Sequence, residues 1–347
     1  MQAAVLLGPE RVEVRSVPVP QPAAGELLVR VHAATTCGTD VKVFRRGGHP
    51  RMLQVPALFG HEMAGTVART GAGVHGYAAG DAVVIANSAA CGQCRRCRQG
   101  RENLCPQLEY LNGAFAEFIR VPQRFVAQSV HRIPPGLDFA RAALAEPLAC
   151  VLHGVDACDL SPGQDAEVVV YGAGPIGLLF VAVLARRGQR AVLADPNHGR
   201  LATGTRMGAA ATLCIARGGA QAAAVRAITR DGAGADVAVD CTGMPQVWAD
   251  ALDSVCPGGL VNLFGGCAPG TTVALDTHRL HYEQITVKGV YHHRPATFRR
   301  ALELLSDPGF PAAELLSATQ PIAAVEEALR SMMRKETLKV VIAPGQD

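Results

Sequence analysis

A chain of 347 residues is longer than one hydrophobic core usually spans, so two domains are expected, and 49% hydrophobic against 18% charged residues excludes a disordered protein. Thirty-three basic against 30 acidic side chains leave a net charge of +3 with no long Lys/Arg block, which argues against a nucleic-acid partner. Eleven cysteines, an odd number with four crowded into one short stretch, fit metal binding in a reducing cytosol better than a disulfide framework.

The chain opens with Met1-Gln2-Ala3-Ala4-Val5, which has no basic region followed by a long apolar run, so no secretory signal is expected. Residues 1 to about 150 read as mostly β, with β-branched runs at 27–31, 65–68 and 82–85 separated by Gly/Pro turns. Regular spacing of this kind points to a barrel or sandwich. Within this half lie Cys37, in Thr36-Cys37-Gly38-Thr39-Asp40, and Phe59-Gly60-His61-Glu62, which sets an imidazole beside a carboxylate; Glu146 follows in Ala145-Glu146-Pro147-Leu148. A thiolate, an imidazole nitrogen and one or two carboxylate oxygens suit zinc, and fewer than four fixed protein ligands leave a position open for substrate. Spacing alone does not bring these segments together, and singly each residue also reads as an ordinary core or turn position.

Between them, Cys91, Cys94, Cys97 and Cys105 are spaced C-x2-C-x2-C-x7-C. Four thiolates close a tetrahedral site, so zinc here holds a loop together without doing chemistry; disulfides or an iron–sulfur cluster are the alternatives.

From about 165 the rhythm changes to strands near 168–171, 191–194, 237–239 and 259–264, alternating with helical stretches near 176–187 and 221–229. This pattern predicts a parallel sheet covered by helices. The uncharged run 168–185 is about as long as a minimal membrane span, but Gly172-Ala173-Gly174-Pro175-Ile176-Gly177 divides it into strand, turn and helix, and no membrane association is expected. In that turn Gly172 allows the tight bend, Gly174 the approach of a pyrophosphate and Gly177 close strand–helix packing, with the helix N-terminus facing the phosphates. Asp195, at the end of the next strand, is placed to accept from the adenosine-ribose hydroxyls and to repel a 2′-phosphate, which favours NAD over NADP. Arg200 moderates that inference, and Asp195 has a second reading as the N-cap of a helix over 197–207. Two further helices, near 296–305 and 323–333, and a strand at 338–342 end the chain.

Taken together, these motifs resemble the zinc-dependent medium-chain dehydrogenases over essentially the whole length, particularly the polyol branch that includes sorbitol (L-iditol) dehydrogenase, with threonine dehydrogenase as a relative. The resemblance implies an α/β protein. A GroES-like β-rich catalytic domain would take 1–151 and 289–347, with the four-cysteine zinc lobe at about 88–108. A Rossmann NAD-binding domain with a doubly wound parallel sheet would take 152–288. It implies a homodimer or homotetramer in the cytoplasm with two zinc ions per chain. Catalytic zinc would be held by Cys37, His61 and Glu62, with Glu146 at the remaining position directly or through water, and structural zinc by Cys91, Cys94, Cys97 and Cys105. Ile176, Asp195, Arg200, Leu263, Phe264 and Gly265 fall at NAD-contacting positions beside Gly172, Gly174, Pro175 and Gly177, and Val290, Tyr291 and His292 at the segment under the nicotinamide.

This chain departs from the polyol pattern at three places. Val43 stands where those enzymes carry an aromatic residue, His292-His293 where they carry a substrate-binding Arg-Tyr pair, and Lys42 where alcohol dehydrogenases often end their proton relay in a histidine. The implied reaction is reversible oxidation of a secondary alcohol to a ketone, on a polyol, cyclitol or sugar-like substrate contacted by Thr39, Val43, Glu146, His292 and His293. The proton would leave through Thr39 and the ribose hydroxyls to Lys42, or by way of Glu146. The basic loop Arg45-Arg46-Gly47-Gly48-His49-Pro50-Arg51 is either a solvated face or part of substrate recognition, and His153 a packed junction residue or a pocket residue. Competing readings are a threonine, amino-alcohol or primary-alcohol dehydrogenase, and a non-catalytic nucleotide-binding protein.

Overall fold

Nearly every residue of Leu27–Thr35 is buried, as an interior strand flanked on both edges should be. In the computed structural model, which describes residues 1–161, 163–216 and 221–345, this strand pairs antiparallel with Glu62–Thr70, Phe118–Val121 and Lys339–Ile342. The seven-stranded sheet so formed runs Val130–Arg132, Ala82–Ile85, Glu62–Thr70, Leu27–Thr35, Lys339–Ile342, Leu316–Gln320, with Phe118–Val121 off that path. A second sheet of Arg11–Ser16, Gln2–Gly8 and Ala57–Leu58 completes a unit comprising Met1–Ala149 and Arg294–Asp347. Its core gathers Phe44, Phe59, Met63, Phe115 and Phe125, with Phe59 and Phe115 packed edge to face. Val43 is 5% exposed and packs in this core: helix Gly38–Arg46 buries Asp40, Val43 and Phe44 on one face.

The second unit is Cys150–His293. The helix Ala145–Asp156 carries the chain across the first division. Its sheet is parallel throughout, in the order Ala211–Cys214, Arg190–Asp195, Glu167–Tyr171, Ala235–Asp240, Val255–Leu263, Thr286–Gly289. The first strand in sequence is central and the chain winds outward on either side, which is the doubly wound order with its switch point beside Glu167–Tyr171. All five residues of that strand are buried, and Pro175–Arg186 covers it with eight buried residues. The uncharged stretch is thus strand, turn and helix, and among the described residues no helix is long and apolar enough to cross a membrane.

Candidate active site

Sheet register builds the mixed-ligand site. Glu62 lies opposite Thr35, the last residue of its strand, and Lys339–Ile342 pairs beside that same strand end. Three neighbouring strands therefore bring Glu62, Thr35 and Lys339 together at one end of the sheet, Lys339 two residues before Val341, which is registered with Thr35. Glu62 Oε2 accepts from Lys339 Nζ at 2.5 Å and from Thr35 Oγ1, and Lys339 Nζ also donates to the Thr36 carbonyl at 2.8 Å. Both charged side chains are fully buried. Burial alone would lower the Lys339 ammonium, but the adjoining Glu62 overrides it and holds its pKa above the ordinary value.

Cys37 caps helix Gly38–Arg46, its sulfur accepting from Thr39 N at 3.4 Å while its own N–H donates to Asp40 Oδ2 at 3.0 Å. Asp40 Oδ1 in turn accepts from His61 Nδ1 at 2.8 Å. One carboxylate thus closes the helix cap and orients the imidazole, so that its other nitrogen, Nε2, can offer a lone pair to a metal beside Cys37. Burial opposes a charged His61, and Asp40 outweighs it, raising the pKa well above the usual value.

Ligand atoms of Cys37, His61 and Glu62 lie within 4.8 Å of one another. Glu62 Oε1 is buried without a hydrogen-bond partner among the described residues. Burial, followed by the nearby Glu62 charge, pushes the Cys37 thiol up. An orphaned carboxylate oxygen and a thiol that resists ionising beside it fit a cation between them, and sulfur, nitrogen and oxygen donors together suit zinc. Glu146, buried at the start of Ala145–Asp156, stands outside that trio. Burial raises its carboxyl to about 7, with His61 acting against the shift and Glu62 with it.

Thr39 is half-buried and Lys42 exposed, three residues apart and so adjacent on the helix surface. Arg45, Arg46 and Arg51 are exposed, as in a solvated face. His49 Nδ1 accepts from the backbone of Arg51 and Met52 at 3.2 Å, which commits that ring to its own turn.

Cys91, Cys94, Cys97 and Cys105 form a second group with sulfurs within 4.8 Å of one another. No disulfide joins any of these four, so the disulfide alternative is not realised. Cys94 caps the short helix Arg95–Arg98 by accepting from Cys97 N at 3.5 Å, and Cys91 N donates to the Cys105 sulfur at 3.4 Å. Backbone amides of Gln93 and Cys94 pull the Cys91 thiol down to about 6. The Cys97 amide likewise lowers Cys94, whereas burial and the neighbouring sulfurs push Cys97 up to about 12, so the amides favour thiolate, the form that binds a metal, at Cys91 and Cys94.

In the second unit, Gly172 has φ +98°, and a side chain at Gly177 would meet the Gly172 carbonyl at 1.8 Å. Gly174 caps helix Pro175–Arg186 with open space where a Cβ would lie, so the helix N-terminus can be approached; Ile176 follows in the first turn. Asp195 Oδ2 accepts from Ala173 N and Oδ1 from Asn197 N, each at 2.8 Å, tying the carboxylate to the glycine turn. The helix His198–Arg206 is capped by Asn197, so Asp195 is not its N-cap. Burial lowers Arg200, with Asp195 opposing.

Leu263 ends its strand, with Phe264 and Gly265 just beyond. The Phe264 ring packs edge to face on Phe180 at 5.1 Å. Val290 N donates to the Leu263 carbonyl at 3.4 Å, Tyr291 is exposed, and His292 has φ +61° with its ring 4.1 Å from that of the buried His293. His153 Nδ1 donates to the His292 carbonyl at 2.7 Å, giving His153 a structural task.

Lys339 and Asp40 as partners of the ligand set were missed at the level of sequence. Asp40 carried a signal, since an acid three residues after a capping residue closes a helix N-terminus. Lys339 carried only a faint one, a lone cation in an otherwise apolar terminal strand.

Two family models match the chain: the alcohol dehydrogenase GroES-like domain over residues 23–134 and the zinc-binding dehydrogenase over residues 175–307. Sorbitol dehydrogenase of Bacillus subtilis (strain 168) is 30% identical, covering 100% of this chain and 98% of its own length. D-altritol 5-dehydrogenase of Agrobacterium fabrum is 34% identical over 90% of each. Among solved structures, one described as a zinc-binding dehydrogenase from Sinorhizobium meliloti 1021 bound to NADP superposes with a TM-score of 0.89 at 28% identity, covering 99% of both chains.

Proposed function

This chain belongs to the zinc-dependent medium-chain dehydrogenase family, in its polyol-like branch, and from that premise we propose that it moves a hydride reversibly between NAD and a secondary alcohol or ketone, the alcohol being a polyol, cyclitol or sugar-like compound. Cys37, His61 and Glu62 hold the catalytic zinc, with Glu146 beside them, and Cys91, Cys94, Cys97 and Cys105 hold a structural one. Zinc bound by the trio supplies Lewis acidity that lowers the pKa of an alcohol toward neutrality, and the nicotinamide supplies the hydride acceptor.

The protein's own groups do the rest. Asp40 keeps His61 in the tautomer that offers Nε2. Lys339 and Thr35 occupy Glu62 Oε2, which leaves Oε1 as the available oxygen. Thr39 accepts the alcohol proton as it gives up its own, which passes by the ribose hydroxyls to Lys42, exposed on the same helix, and so to water. Glu146, whose carboxyl burial brings to about 7, is a second exit for that proton. In the other unit the glycine turn and the N-terminus of Pro175–Arg186 receive the pyrophosphate, and Asp195 accepts from the ribose hydroxyls. Its negative charge favours NAD over NADP, although the Sinorhizobium relative was solved with NADP.

His292 and His293 replace an Arg-Tyr pair, so sorbitol itself is not assigned as the substrate. A homodimer or homotetramer in the cytoplasm completes the reading.

The observation that carries this reading is the convergence of ligand atoms of Cys37, His61 and Glu62 within 4.8 Å, with Glu62 Oε1 buried and without a hydrogen-bond partner among the described residues. The test is metal analysis combined with a spectrophotometric screen of NAD and NADP reduction over polyols, cyclitols, amino alcohols and simple secondary alcohols. Two zinc ions per chain and NAD-dependent turnover of polyhydroxylated alcohols are expected. Turnover confined to simple apolar alcohols would overturn the substrate class, and the absence of zinc would overturn the reaction.

A further inference from the structure

Asp240 ends the strand next to the one that carries the glycine turn, and it is completely buried. Four hydrogen-bond donors converge on its carboxylate. Oδ1 accepts from Thr242 N at 2.9 Å and Thr242 Oγ1 at 2.6 Å, and Oδ2 from Gly243 N and Trp248 Nε1, each at 3.0 Å. Four donors match the roughly four lone-pair sites of an ionised carboxylate, and these hydrogen bonds oppose the burial that pushes its pKa up. Trp248 Nε1 also reaches the Gly265 carbonyl at 3.1 Å, and Gly265 N donates to the Asp240 carbonyl at 2.8 Å.

Around this carboxylate three strand-end turns come into contact. A side chain at Gly172 would lie 2.9 Å from Thr242 Cγ2, one at Gly243 2.4 Å from the Gly266 carbonyl, and one at Gly265 2.3 Å from Gly243 N and 2.5 Å from Asp240 Oδ2. These are the turns after Glu167–Tyr171, Ala235–Asp240 and Val255–Leu263, at the carboxyl edge of a parallel sheet, where such sheets bind ligands. The Thr242–Gly243 turn is thus wedged between the glycine turn and the Gly265 turn, and Asp240 fixes both its ends.

We propose that Asp240 is a positioning residue for the nicotinamide nucleotide, its carboxylate locking the Thr242–Gly243 turn so that the turns at Gly172 and Gly265 keep the spacing the cofactor needs. This inference rests on the nucleotide reading of the second unit given above. Asp240→Asn substitutes an amide N–H for one acceptor and sets it against donors. Trp248→Phe removes a single donor and keeps a ring of similar shape. Neither residue belongs to the metal site.

The test is calorimetric titration of NADH into the zinc-replete full-length protein and both variants, with KM for NAD and for the alcohol measured in parallel. The unaltered protein should bind NADH, Asp240→Asn should weaken that binding about tenfold and Trp248→Phe roughly fivefold, as loss of hydrogen bonds to a charged group implies. KM for NAD should rise with them while KM for the alcohol and the zinc content stay the same. If Asp240→Asn does not fold, Trp248→Phe decides alone. Lower melting temperatures with NADH affinity unchanged within about twofold would make Asp240 a purely structural residue and overturn the proposal. No NADH binding by the unaltered protein would instead remove the nucleotide reading itself, and the role of Asp240 with it.

Discussion

Two clusters of cysteine-bearing donors lie in the same structural unit and differ in how far the chain travels to build them. The lobe takes four sulfurs from residues 91 to 105, and backbone amides of the same loop point at them. The trio takes Cys37 from a helix cap and His61 and Glu62 from the start of a strand, and it is steadied by Asp40, Thr35 and Lys339, the last 277 residues from its partner. The first site closes on itself, with four like donors and no group left over. The second ends with one carboxylate oxygen unclaimed. A closed set can only hold; an incomplete set backed by rigid sheet can hold and also act.

If that contrast is right, removing a sulfur from the trio has the largest effect on turnover. Cys37→Ser should lower kcat/KM by roughly 10^4-fold, the several kcal/mol of transition-state charge stabilisation that such an ion supplies. Zinc should fall from two ions per chain to one, and NADH affinity should be unaffected, since the nucleotide turn belongs to the other unit. Steady-state kinetics with metal analysis checks this, and retained activity with one ion lost would exchange the roles of the two clusters.

The buried ion pair sharpens the comparison next. In Lys339→Met, Glu62 keeps only the Thr35 hydroxyl against a fully buried charge. Breaking such a pair on one side costs about 3–5 kcal/mol, which should show as a lower urea midpoint for release of the trio's zinc. The lobe has no counterpart, so its own zinc release should not move. Asp40→Asn acts less severely. It preserves an acceptor for His61 Nδ1 but removes the charge, and loss of such an outer partner typically costs about 10–100-fold in metal affinity, measurable by competition with a chelator.

The same contrast explains what could be read before any coordinates. The lobe and Gly172 to Gly177 were legible because each needs only a local run of residue types, and the doubly wound sheet followed from alternating strands and helices. The convergence of Cys37, His61 and Glu62 was carried by resemblance, since no spacing rule joins a helix cap to a strand start. Lys339 stayed hidden because its partner is set by which strands become neighbours, a property of topology and not of any segment.

The smallest effect on catalysis should come from repeating the sulfur-to-oxygen change in the lobe. Cys94 supplies one thiolate and, by accepting from Cys97 N, also starts the helix Arg95–Arg98. Cys94→Ser weakens the metal at a soft site, because a neutral hydroxyl is a poor substitute for thiolate. One zinc should again be lost, and the melting temperature should fall because metal binding energy is folding energy for a loop with so little core of its own. At a temperature where the variant remains folded, however, kcat should stay within about twofold of the unaltered enzyme, since no lobe sulfur touches the trio and the lost ion contributes no transition-state charge stabilisation. The same atom exchanged in two places, with the same metal stoichiometry lost, should separate the two sites by about four orders of magnitude in turnover. Equal losses in kcat from Cys37→Ser and Cys94→Ser would mean that the lobe acts through the active site, and that the division between holding and acting does not follow from whether the donor set is complete.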